Sequence, residues 1–210
     1  MDRTVLSYPK CGRTWVRLFF HYYLKLISEN DDIVFTHNEE DAIGRRIILI
    51  RDPRDVMVSA YMHYKYRKKR GKTRKTISSF IRHPKYGIKT YQDSIDKWFA
   101  HDDKLVVCYE NLFNFVWEEL IVYFKYPVQL LAMIDADNKC SFRNLRKNMD
   151  ELGRMEKAWR YIPKMDHPES HKIRRGVVGG YVDYLDDSDI KYINAVTGDR
   201  RTELCGICQY

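Results

Sequence analysis

The sequence lacks an apolar run long enough to cross a bilayer, and its start lacks the pattern of a leader peptide. Its apolar stretches are short and interrupted by charges, whereas a membrane-spanning helix needs about 20 predominantly apolar residues. It also lacks internal repeats and linkers rich in Gly or Ser. We therefore expect a cytoplasmic chain that folds as a single domain over residues 1–210, a length that supports one hydrophobic core.

Cysteine is scarce and unevenly placed. The five residues are Cys11, Cys108, Cys140, Cys205 and Cys208. An odd number at wide spacing is atypical of a disulfide framework, so we expect reduced thiols in an intracellular chain. Cys205 and Cys208 form a lone C-x-x-C pair, but a zinc site needs a second pair of ligands, and none stands at a suitable spacing. The sequence therefore predicts no metal site.

Acidic residues are absent from one strongly basic segment, residues 64–75, which reads Y-K-Y-R-K-K-R-G-K-T-R-K. Its eight basic residues equal the whole net charge of +8, so the rest of the chain is electrically balanced. Such a run is typical of a solvated, mobile loop. It can also attract an anionic substrate, a nucleic acid or a membrane surface, and the sequence leaves these alternatives open.

Short apolar, β-branched runs alternate with longer segments of helical periodicity. The predicted strands are residues 3–8, 32–36, 46–50 and 104–109. The predicted helices are residues 14–27, 53–64, 77–81, 90–99, 112–126, 128–136, 142–152 and 186–196. This alternation favours an α/β fold with a central parallel β-sheet flanked by helices. Ligands bind such sheets at the carboxyl ends of the strands, where this sequence has Lys10, His37, Arg51 and Tyr109.

Residues 7–15, S-Y-P-K-C-G-R-T-W, join the first strand to the first helix. A turn before a helix offers backbone N–H groups and the positive end of the helix dipole, which together bind anions. In the phosphate loop of nucleoside triphosphatases the lysine follows the second glycine, whereas Lys10 precedes the only glycine here, Gly12. No strand ends at an obvious magnesium-binding acid either. A nucleotide kinase therefore fits poorly, and a plain structural turn stays an alternative.

Three motifs follow the first three strands: P-K-x-G-x-T-W, T-H and R-D-P-R-D-V-x-V-S. Together they resemble the sulfotransferases that use 3′-phosphoadenosine-5′-phosphosulfate (PAPS), of the cytosolic type and in a short form, over nearly the whole chain. The resemblance implies a single-domain, P-loop-nucleotide-kinase-like α/β fold. It also implies transfer of a sulfuryl group from PAPS to a hydroxyl or amine of an acceptor, with release of adenosine 3′,5′-bisphosphate (PAP) and no required metal.

The first motif resembles the family's 5′-phosphosulfate loop, Y-P-K-S-G-T-T-W. The matching residues are Lys10, Gly12, Thr14 and Trp15. The resemblance makes the whole segment 10–15 part of the cofactor site and puts Trp15 near the adenine. Cys11 and Arg13 depart from it, since the family has hydroxyl residues at both positions. Their backbone amides remain, and Arg13 can replace a lost hydroxyl contact with a charge-assisted hydrogen bond.

The third motif resembles the family's 3′-phosphate site. Arg51 and Ser59 match its Arg and Ser, and an Arg fork donates two parallel hydrogen bonds to a phosphate. Later, R-R-G-V-V-G-G resembles R-K-G-x-x-G-D-W, whose first three residues close over the 3′-phosphate; here these are Arg174, Arg175 and Gly176. Gly180 and Tyr181 replace the common Asp-Trp of the family motif.

Two aromatic motifs resemble the family's adenine contacts. Tyr109 begins Y-E-N, similar to Y-E-[DN] after the fourth strand. Cys140-Ser141-Phe142 is similar to T-S-F, so the resemblance places Phe142 near the adenine. Cys140 departs from the usual Thr. Each motif alone is weak, and the order of all of them along the chain carries the resemblance.

The resemblance also implies catalytic roles. Lys10 stabilises the bridging oxygen and the leaving phosphate, and His37, in F-T-H-N, matches the family's general base in K-T-H. Phe35 stands where the family has a lysine, so one transition-state cation is missing. Glu39 and Glu40 follow His37, and either can orient it or replace it as the base.

The acceptor side is less defined. In the family the segment after the 3′-phosphate motif forms part of the acceptor pocket or its lid, so residues 64–90 are predicted to be a basic lid or acceptor-side insertion. Its charge favours an anionic acceptor, such as an acidic glycan, an acidic peptide or a phosphorylated small molecule. A pocket for a phenol is an alternative, lined by Tyr61, Tyr64, Phe80 and Tyr86. Two other functions stay open: a polyanion- or nucleic-acid-binding module built on residues 65–75, with nucleic acid the less favoured, and a homologue that binds the cofactor without turnover.

Overall fold

The computed structural model describes residues 2–69, 72–147, 166–171 and 174–198. Its strands are β1 (Arg3–Ser7), β2 (Ile33–Thr36), β3 (Arg45–Ile50) and β4 (Lys104–Cys108). They form one parallel sheet in the order β2-β1-β3-β4. Leu6 of β1 lies opposite both Thr36 of β2 and Ile48 of β3. The predicted α/β fold is therefore confirmed.

Helices flank this sheet. They are α1 (Arg13–Leu26), α2 (Pro53–Met62), α3 (Ile77–Ile81), α4 (Ile88–Phe99), α5 (Trp117–Tyr123), α6 (Leu130–Cys140), α7 (Phe142–Lys147) and α8 (Asp187–Thr197). Short 3₁₀ turns lie at Glu39–Asp41, Tyr109–Asn114, Pro168–Ser170 and Gly180–Asp183, and a π-helical turn, His63–Lys68, continues α2.

Three of the helices, α2, α3 and α8, begin at side-chain caps that the sequence encodes locally, namely Asp52, Thr76 and Asp186. Asp52 accepts a hydrogen bond of 2.8 Å from the backbone N–H of Arg54, and Pro53 occupies the first turn of α2. Asp186 accepts one of 2.8 Å from the backbone N–H of Asp189 at the start of α8. Each cap satisfies a backbone donor that has no partner inside the helix, which is why these helices begin close to their predicted positions.

The core lies between the sheet and its helices. All five residues of β1 are buried, as expected for a strand inside a parallel sheet. Phe19, Phe20 and Tyr23 bury one face of α1, and the Phe19 ring stacks on Trp117 with 4.0 Å between the centroids. Burying a side chain such as Phe19 contributes about 1.5–3 kcal/mol relative to leaving it exposed. This packing fixes α1 on the sheet, and with it the loop that leads into α1.

The amino end of the sheet holds a buried arginine. Arg3 donates a hydrogen bond of 2.5 Å to the carbonyl oxygen of Phe124 and bonds of 2.8 and 2.7 Å to the two carboxylate oxygens of Asp32. Its guanidinium lies 4.0 Å from the ring centroid of Tyr126, whose hydroxyl donates to Asp32 at 2.5 Å. Paired in this way, the charge of Arg3 is stable inside the protein.

The largest departure from the predicted elements concerns residues 112–126. The structure has the 3₁₀ turn Tyr109–Asn114 and then α5, separated by Phe115 at φ 58°. A left-handed backbone angle interrupts a right-handed helix, and apolar periodicity alone does not reveal it. The predicted helix 142–152 begins as expected at Phe142, and its end lies outside the described residues.

The first part of the basic segment is folded. Arg67 donates a hydrogen bond of 2.6 Å to the carbonyl oxygen of Ser170, and the Tyr66 ring stacks on His167 at 4.0 Å. These contacts anchor the π-helical turn to the later part of the chain, so the expectation of a solvated loop is wrong there. Residues 72–76 have no regular secondary structure. That residues 64–90 act as a lid stays a prediction.

The cysteines divide into groups. Cys11 and Cys140 are buried free thiols. Cys108 at the end of β4 is disulfide-bonded, which differs from the expectation of wholly reduced thiols. Cys205 and Cys208 lie outside the described residues. Within the described ranges, no group of side chains is arranged to hold a metal ion, and no helix is long and apolar enough to span a membrane.

Candidate active site

A cleft of about 640 Å³ opens beyond the carboxyl ends of the strands. It is lined by nearly all of the residues predicted to form the site: Lys10, Gly12, Arg13, Thr14, Trp15, His37, Arg51, Ser59, Tyr109, Cys140, Phe142, Arg174, Arg175 and Gly176. Cys11 is the exception, because its side chain is fully buried behind the loop. Motifs that lie up to 166 positions apart in the sequence thus meet in one cavity.

The cleft is strongly cationic. Among the described residues, its charged lining comprises Lys10, Arg13, Arg51, Lys68, Arg174, Arg175 and a single acid, Asp137. That acid accepts a hydrogen bond of 2.6 Å from the indole N–H of Trp117. Such a lining favours a ligand with several negative charges, since clustered charge of one sign attracts ions of the other.

The β1–α1 loop brings backbone donors to this cleft. Gly12 adopts φ 95°, and a Cβ at this position would lie 2.5 Å from the Tyr109 ring, so only glycine fits. Lys10 also has a left-handed backbone, at φ 83°, a conformation that costs a residue other than glycine about 1–3 kcal/mol. The N-cap residue of α1 is Gly12, which has no side chain to cap the helix, and the first turn contains no acid. The positive end of the helix therefore faces the cleft.

Cys11 and Cys140 are buried free thiols at this site. Burial raises the pKa of both thiols well above the ordinary range. A thiol that stays protonated is a poor nucleophile and a weak hydrogen-bond donor. Cys11 packs behind the loop, whereas Cys140 ends α6 at the wall of the cleft.

Arg51 follows the last residue of β3 and lines the cleft. Its guanidinium is 4.1 Å from the ring centroid of Tyr109, and it donates to the carbonyl oxygens of Lys10 at 3.4 Å and Val177 at 3.3 Å. Its Nε is buried and has no hydrogen-bond partner in the described part of the chain. A buried donor of this kind is rare unless a ligand or water bonds it.

Asp55, which the sequence motifs do not single out, holds a segment beside the cleft in place. It is 4% exposed and lies 3.5 Å from Arg51, one turn earlier along the chain. Its two carboxylate oxygens accept hydrogen bonds of 2.9 Å from the backbone N–H of Gly179 and 3.0 Å from that of Tyr181. These bonds hold the segment after Gly176 against α2. Tyr181, one of the departures from the family pattern, packs its ring 4.1 Å from the Arg54 guanidinium.

The R-R-G segment also lines the cleft. Arg174 donates hydrogen bonds of 2.7 Å to Glu169 and 2.8 Å to the hydroxyl of Tyr184, and Arg175 bonds Asp183 at 2.5 Å. Gly176, at φ 64°, packs on Phe142, because a Cβ there would lie 2.3 Å from that ring. Arg174 and Arg175 thus line the cleft while paired with residues of their own segment.

An aromatic group forms one end of the cleft. The rings of Trp15 and Phe113 meet edge to face at 4.9 Å, and Trp15 and Tyr109 lie 5.9 Å apart. Phe113 is 46% exposed and Phe115 is 39% exposed, although both line the cavity. Neither residue belongs to a predicted motif. The only hint in the sequence is that aromatic residues follow closely after Y-E-N. Exposed flat rings beside a cationic site suit an aromatic ligand, such as a nucleobase.

His37 follows β2 and faces the β1–α1 loop. Its Nδ1 lies 2.6 Å from the carbonyl oxygen of Ser7, which can only accept, so Nδ1 carries the proton in this contact. In the neutral ring Nε2 is then the acceptor, and it lies 2.7 Å from a guanidinium nitrogen of Arg13. The carbonyl of Ser7 therefore fixes the tautomer that a general base needs.

The acids after His37 are not part of this arrangement. Neither Glu39 nor Glu40 is among the residues that line the cleft. Glu39 forms an ion pair of 2.7 Å with Lys97 and a second contact with His101. The hydrogen bond from Lys97 lowers the pKa of the Glu39 carboxyl. In the structure the carbonyl group of Ser7 orients His37.

The acceptor side also differs from expectation. None of Tyr61, Tyr64, Phe80 and Tyr86 lines the cleft. They pack on one another instead, with ring centroids 5.7 Å apart for Tyr61 and Phe80 and 5.8 Å apart for Tyr64 and Tyr86. Two residues that sequence reasoning missed, His63 and Lys68, line the cleft from the π-helical turn. His63 stands four residues after Ser59 on a helical surface, which was the available signal.

Two solved structures have a similar fold. Mouse sulfotransferase SULT7A1 complexed with PAP is 16% identical, with a TM-score of 0.66 over 93% of this chain and 81% of that chain. Retinol dehydratase in complex with androsterone and inactive cofactor PAP is 17% identical, with a TM-score of 0.66 over 93% of this chain and 79% of that chain. No curated protein matches the sequence. At these identities the likeness concerns the fold.

The sequence model of the sulfotransferase domain matches residues 43–204. The match covers more than half of the chain and includes the Arg51 motif, the Y-E-N and C-S-F motifs and the R-R-G segment. Lys10 and His37 precede the matched region, but the fold brings both into the same cleft as the matched motifs. On the strength of this match, the chain belongs to the sulfotransferase family.

Proposed function

We propose that this protein transfers a sulfuryl group from PAPS to a hydroxyl or amine of an acceptor. One observation carries the proposal: the residues of six separate motifs line a single cationic cleft at the carboxyl end of a parallel sheet. The two similar structures contain PAP, the product that this donor leaves. The proposal assigns no step to a metal.

The residues of the cleft fit such a donor. The unbonded Nε of Arg51 can donate to a phosphate, and the buried indole Nε1 of Trp15 also has no partner in the described part of the chain. The helix N-terminus at Gly12 and the charge of Lys10 suit a second anionic group. The exposed ring of Phe113 suits a nucleobase. We assign the 3′-phosphate to Arg51, Ser59 and the R-R-G segment, and the 5′-phosphosulfate to residues 10–15.

Lys10 and His37 carry the chemistry in this proposal. PAPS supplies a sulfuryl group on a phosphate oxygen; its S–O bond breaks as the bond to the acceptor oxygen forms. Lys10 donates to the bridging oxygen and so stabilises the charge that develops on the leaving phosphate. His37 accepts the acceptor proton on Nε2, because the carbonyl of Ser7 holds the other ring proton in place.

The direct test is transfer of labelled sulfate from PAPS to a panel of phenols, amines, acidic glycans and acidic peptides. His37→Ala is expected to lower turnover about 10²–10⁴-fold, the usual contribution of a general base, and to leave PAP affinity unchanged. Lys10→Ala should lower both turnover and PAPS affinity. The control is Lys25→Ala, on the exposed last turn of α1. Unchanged turnover and affinity in Lys10→Ala would falsify the loop assignment.

A second measurement separates the cofactor class from the acceptor. PAP should raise the thermal unfolding temperature more than ADP or ATP, because only PAP has a 3′-phosphate, the group that we assign to Arg51. Preferential stabilisation by ATP would favour a nucleotide kinase. Stabilisation by PAP without transfer to any acceptor would favour a homologue that binds the cofactor but does not turn over.

We also propose an anionic acceptor. A second cavity, of about 610 Å³, is lined by Lys68, Lys69, Lys72, Thr73 and Arg74, and no acid is among them. Lys68 lines this cavity and the main cleft as well. In the described residues none of these cations forms an ion pair with an acid. These clustered cations repel one another. A carboxylate, sulfate or phosphate group of the acceptor would reduce this repulsion, while the hydroxyl of the same acceptor reaches His37.

Matched acceptors with and without an anionic group test this assignment. The double variant Lys72→Ala, Arg74→Ala is expected to raise KM about tenfold for the anionic acceptor, with little effect for the neutral one and on PAP affinity. Equal KM changes for both acceptors would contradict it. Steeply salt-dependent nucleic-acid binding that survives Arg51→Ala would instead favour a polyanion-binding module.

A further inference from the structure

Arg13 occupies the atom that the proposed base must use. Its guanidinium nitrogen lies 2.7 Å from Nε2 of His37, whose other ring nitrogen donates to the carbonyl oxygen of Ser7. A neutral imidazole has one ring lone pair that can accept a proton, and here that lone pair accepts from Arg13. An acceptor hydroxyl cannot hydrogen-bond the same lone pair while this contact persists.

The same guanidinium stands beside the donor site. Arg13 is the first residue of α1, between Gly12 and Thr14, and all three line the cleft. A guanidinium bonds an anionic oxygen about twice as strongly as a neutral acceptor, so a sulfonate group at this loop would compete with the imidazole for Arg13. His37 is exposed to solvent, so movement of Arg13 away from it does not leave a buried imidazole without a partner.

The residues near Arg13 show what a cation at position 13 can replace. In the motif that this loop resembles, position 13 carries a hydroxyl, and position 35 carries a lysine near the base. In this chain position 35 is a phenylalanine, and its ring and carbonyl are contacted by Arg17 at 4.7 and 3.3 Å. Arg17 does not line the cleft. Arg13 is therefore the added cation that lies within reach of both the base and the donor loop.

We propose that Arg13 gates the base in response to the donor. Without a donor it bonds Nε2 of His37 and blocks the base; with PAPS bound it moves to the sulfonate oxygens, which frees Nε2 for the acceptor hydroxyl. The cation that Phe35 does not provide is thus supplied from the donor loop. The inference rests on the proposed function and predicts that the donor binds before the acceptor.

The key readout compares PAPS with PAP, because only PAPS has a sulfonate. Dissociation constants of both are measured by calorimetry for the wild-type protein, Arg13→Thr and Arg13→Lys. We expect Arg13→Thr to weaken PAPS binding about tenfold or more and to change PAP binding less than about twofold. Arg13→Lys keeps the charge and should retain part of the preference. The matched control is Arg17→Thr, one turn along the same helix, which should leave the ratio unchanged.

Inhibition kinetics test the gate itself. The wild-type enzyme is expected to follow an ordered pattern with the donor first, whereas Arg13→Thr binds the two substrates in random order because Nε2 is open without a donor. Equal weakening of PAPS and PAP, or an unchanged order of binding, would overturn the gate and leave the proposed function standing. If the wild-type protein binds neither PAPS nor PAP, both proposals fail.

Discussion

The two ends of the sheet each hold a largely buried arginine, and the protein bonds them in opposite ways. At the amino end, Arg3 makes hydrogen bonds of 2.5–2.8 Å to the carbonyl of Phe124 and the carboxylate of Asp32. At the carboxyl end, the contacts of Arg51 to Lys10, Val177 and Asp55 measure 3.3–3.5 Å, and its Nε has no partner in the described ranges. Arg3 makes short hydrogen bonds to protein groups. Arg51 makes only long contacts in the described ranges, and its Nε–H remains available to bond a ligand.

This difference separates stability from binding. A short, charge-assisted bond between two protein groups contributes to the free energy of unfolding. Long contacts and an unbonded Nε contribute little to it, but they leave a guanidinium ready to bond a phosphate without first breaking strong bonds. Substitutions at the two ends should therefore affect different measurements.

The largest effect is expected for Arg51→Lys. Lysine keeps the charge opposite Asp55 but has no planar fork, so it cannot donate two parallel bonds to a phosphate. PAP affinity should fall about 100-fold, while the thermal unfolding temperature without ligand stays close to that of the wild type. Calorimetric titration and thermal unfolding of the same preparations give both values. A large loss of stability with little loss of affinity would erase the contrast with Arg3.

Arg3→Met should give the opposite result. Methionine fills a similar apolar volume but bonds neither Phe124 nor Asp32, so the carbonyl is left buried without its donor. We expect the free energy of unfolding to fall by about 2 kcal/mol, with PAP affinity unchanged. Urea unfolding and the same titration measure this. Reduced PAP affinity in a folded Arg3→Met protein would mean that the two ends of the sheet are coupled.

A smaller effect is expected for Asp55→Asn. The amide keeps only one acceptor oxygen for the two backbone N–H groups of Gly179 and Tyr181, so the segment over Arg51 loosens. PAP affinity should fall about tenfold, mainly through faster dissociation, which stopped-flow kinetics can resolve. Asp135→Asn is the control, since within the described residues its carboxylate forms only an exposed ion pair with Lys139 on α6. Equal effects of the two variants would remove Asp55 from the site.

The smallest effect concerns acid stability at the amino end. Burial favours a higher pKa for Asp32, but the hydroxyl of Tyr126 and the charge of Arg3 outweigh it, so the pKa lies below the ordinary 3.8. A carboxyl with a depressed pKa stabilises the fold above its unfolded value, and this contribution disappears as the pH falls through the folded value. The stability gap between wild type and Arg3→Met should therefore narrow below about pH 4 in a series of urea titrations. If the difference in unfolding free energy between the two proteins stayed constant with pH, the Asp32 carboxylate would contribute nothing to it.

The sequence predicts the carboxyl end of the sheet well where its signals are local. Lys10, His37 and Arg51 each follow an apolar run that ends in a turn, and the α/β alternation is enough to bring such strand ends together. The start of α8 is equally local, because Asp186 caps its own helix. These features depend on neighbours within a few positions.

Other parts of the site could not be predicted because they depend on distant contacts. Asp55 bonds a backbone amide 124 positions later, and Arg13 meets His37 across 24 positions. No periodicity in the sequence encodes either contact. The left-handed backbone of Phe115 divides a predicted helix and brings exposed rings to the cleft. Periodicity in the sequence does not encode this change of direction either. Sequence reasoning located the strand ends, and tertiary packing selected which side chains meet there.

The buried thiol behind the β1–α1 loop has a practical consequence. Cys11 is fully buried and its pKa is raised, so a soluble alkylating reagent can reach it only when the loop between β1 and α1 opens. The rate at which the Cys11 peptide is alkylated, followed by mass spectrometry, therefore reports how often this loop opens in the native protein. The chain carries its own chemical probe of loop opening at the place where the donor is proposed to bind.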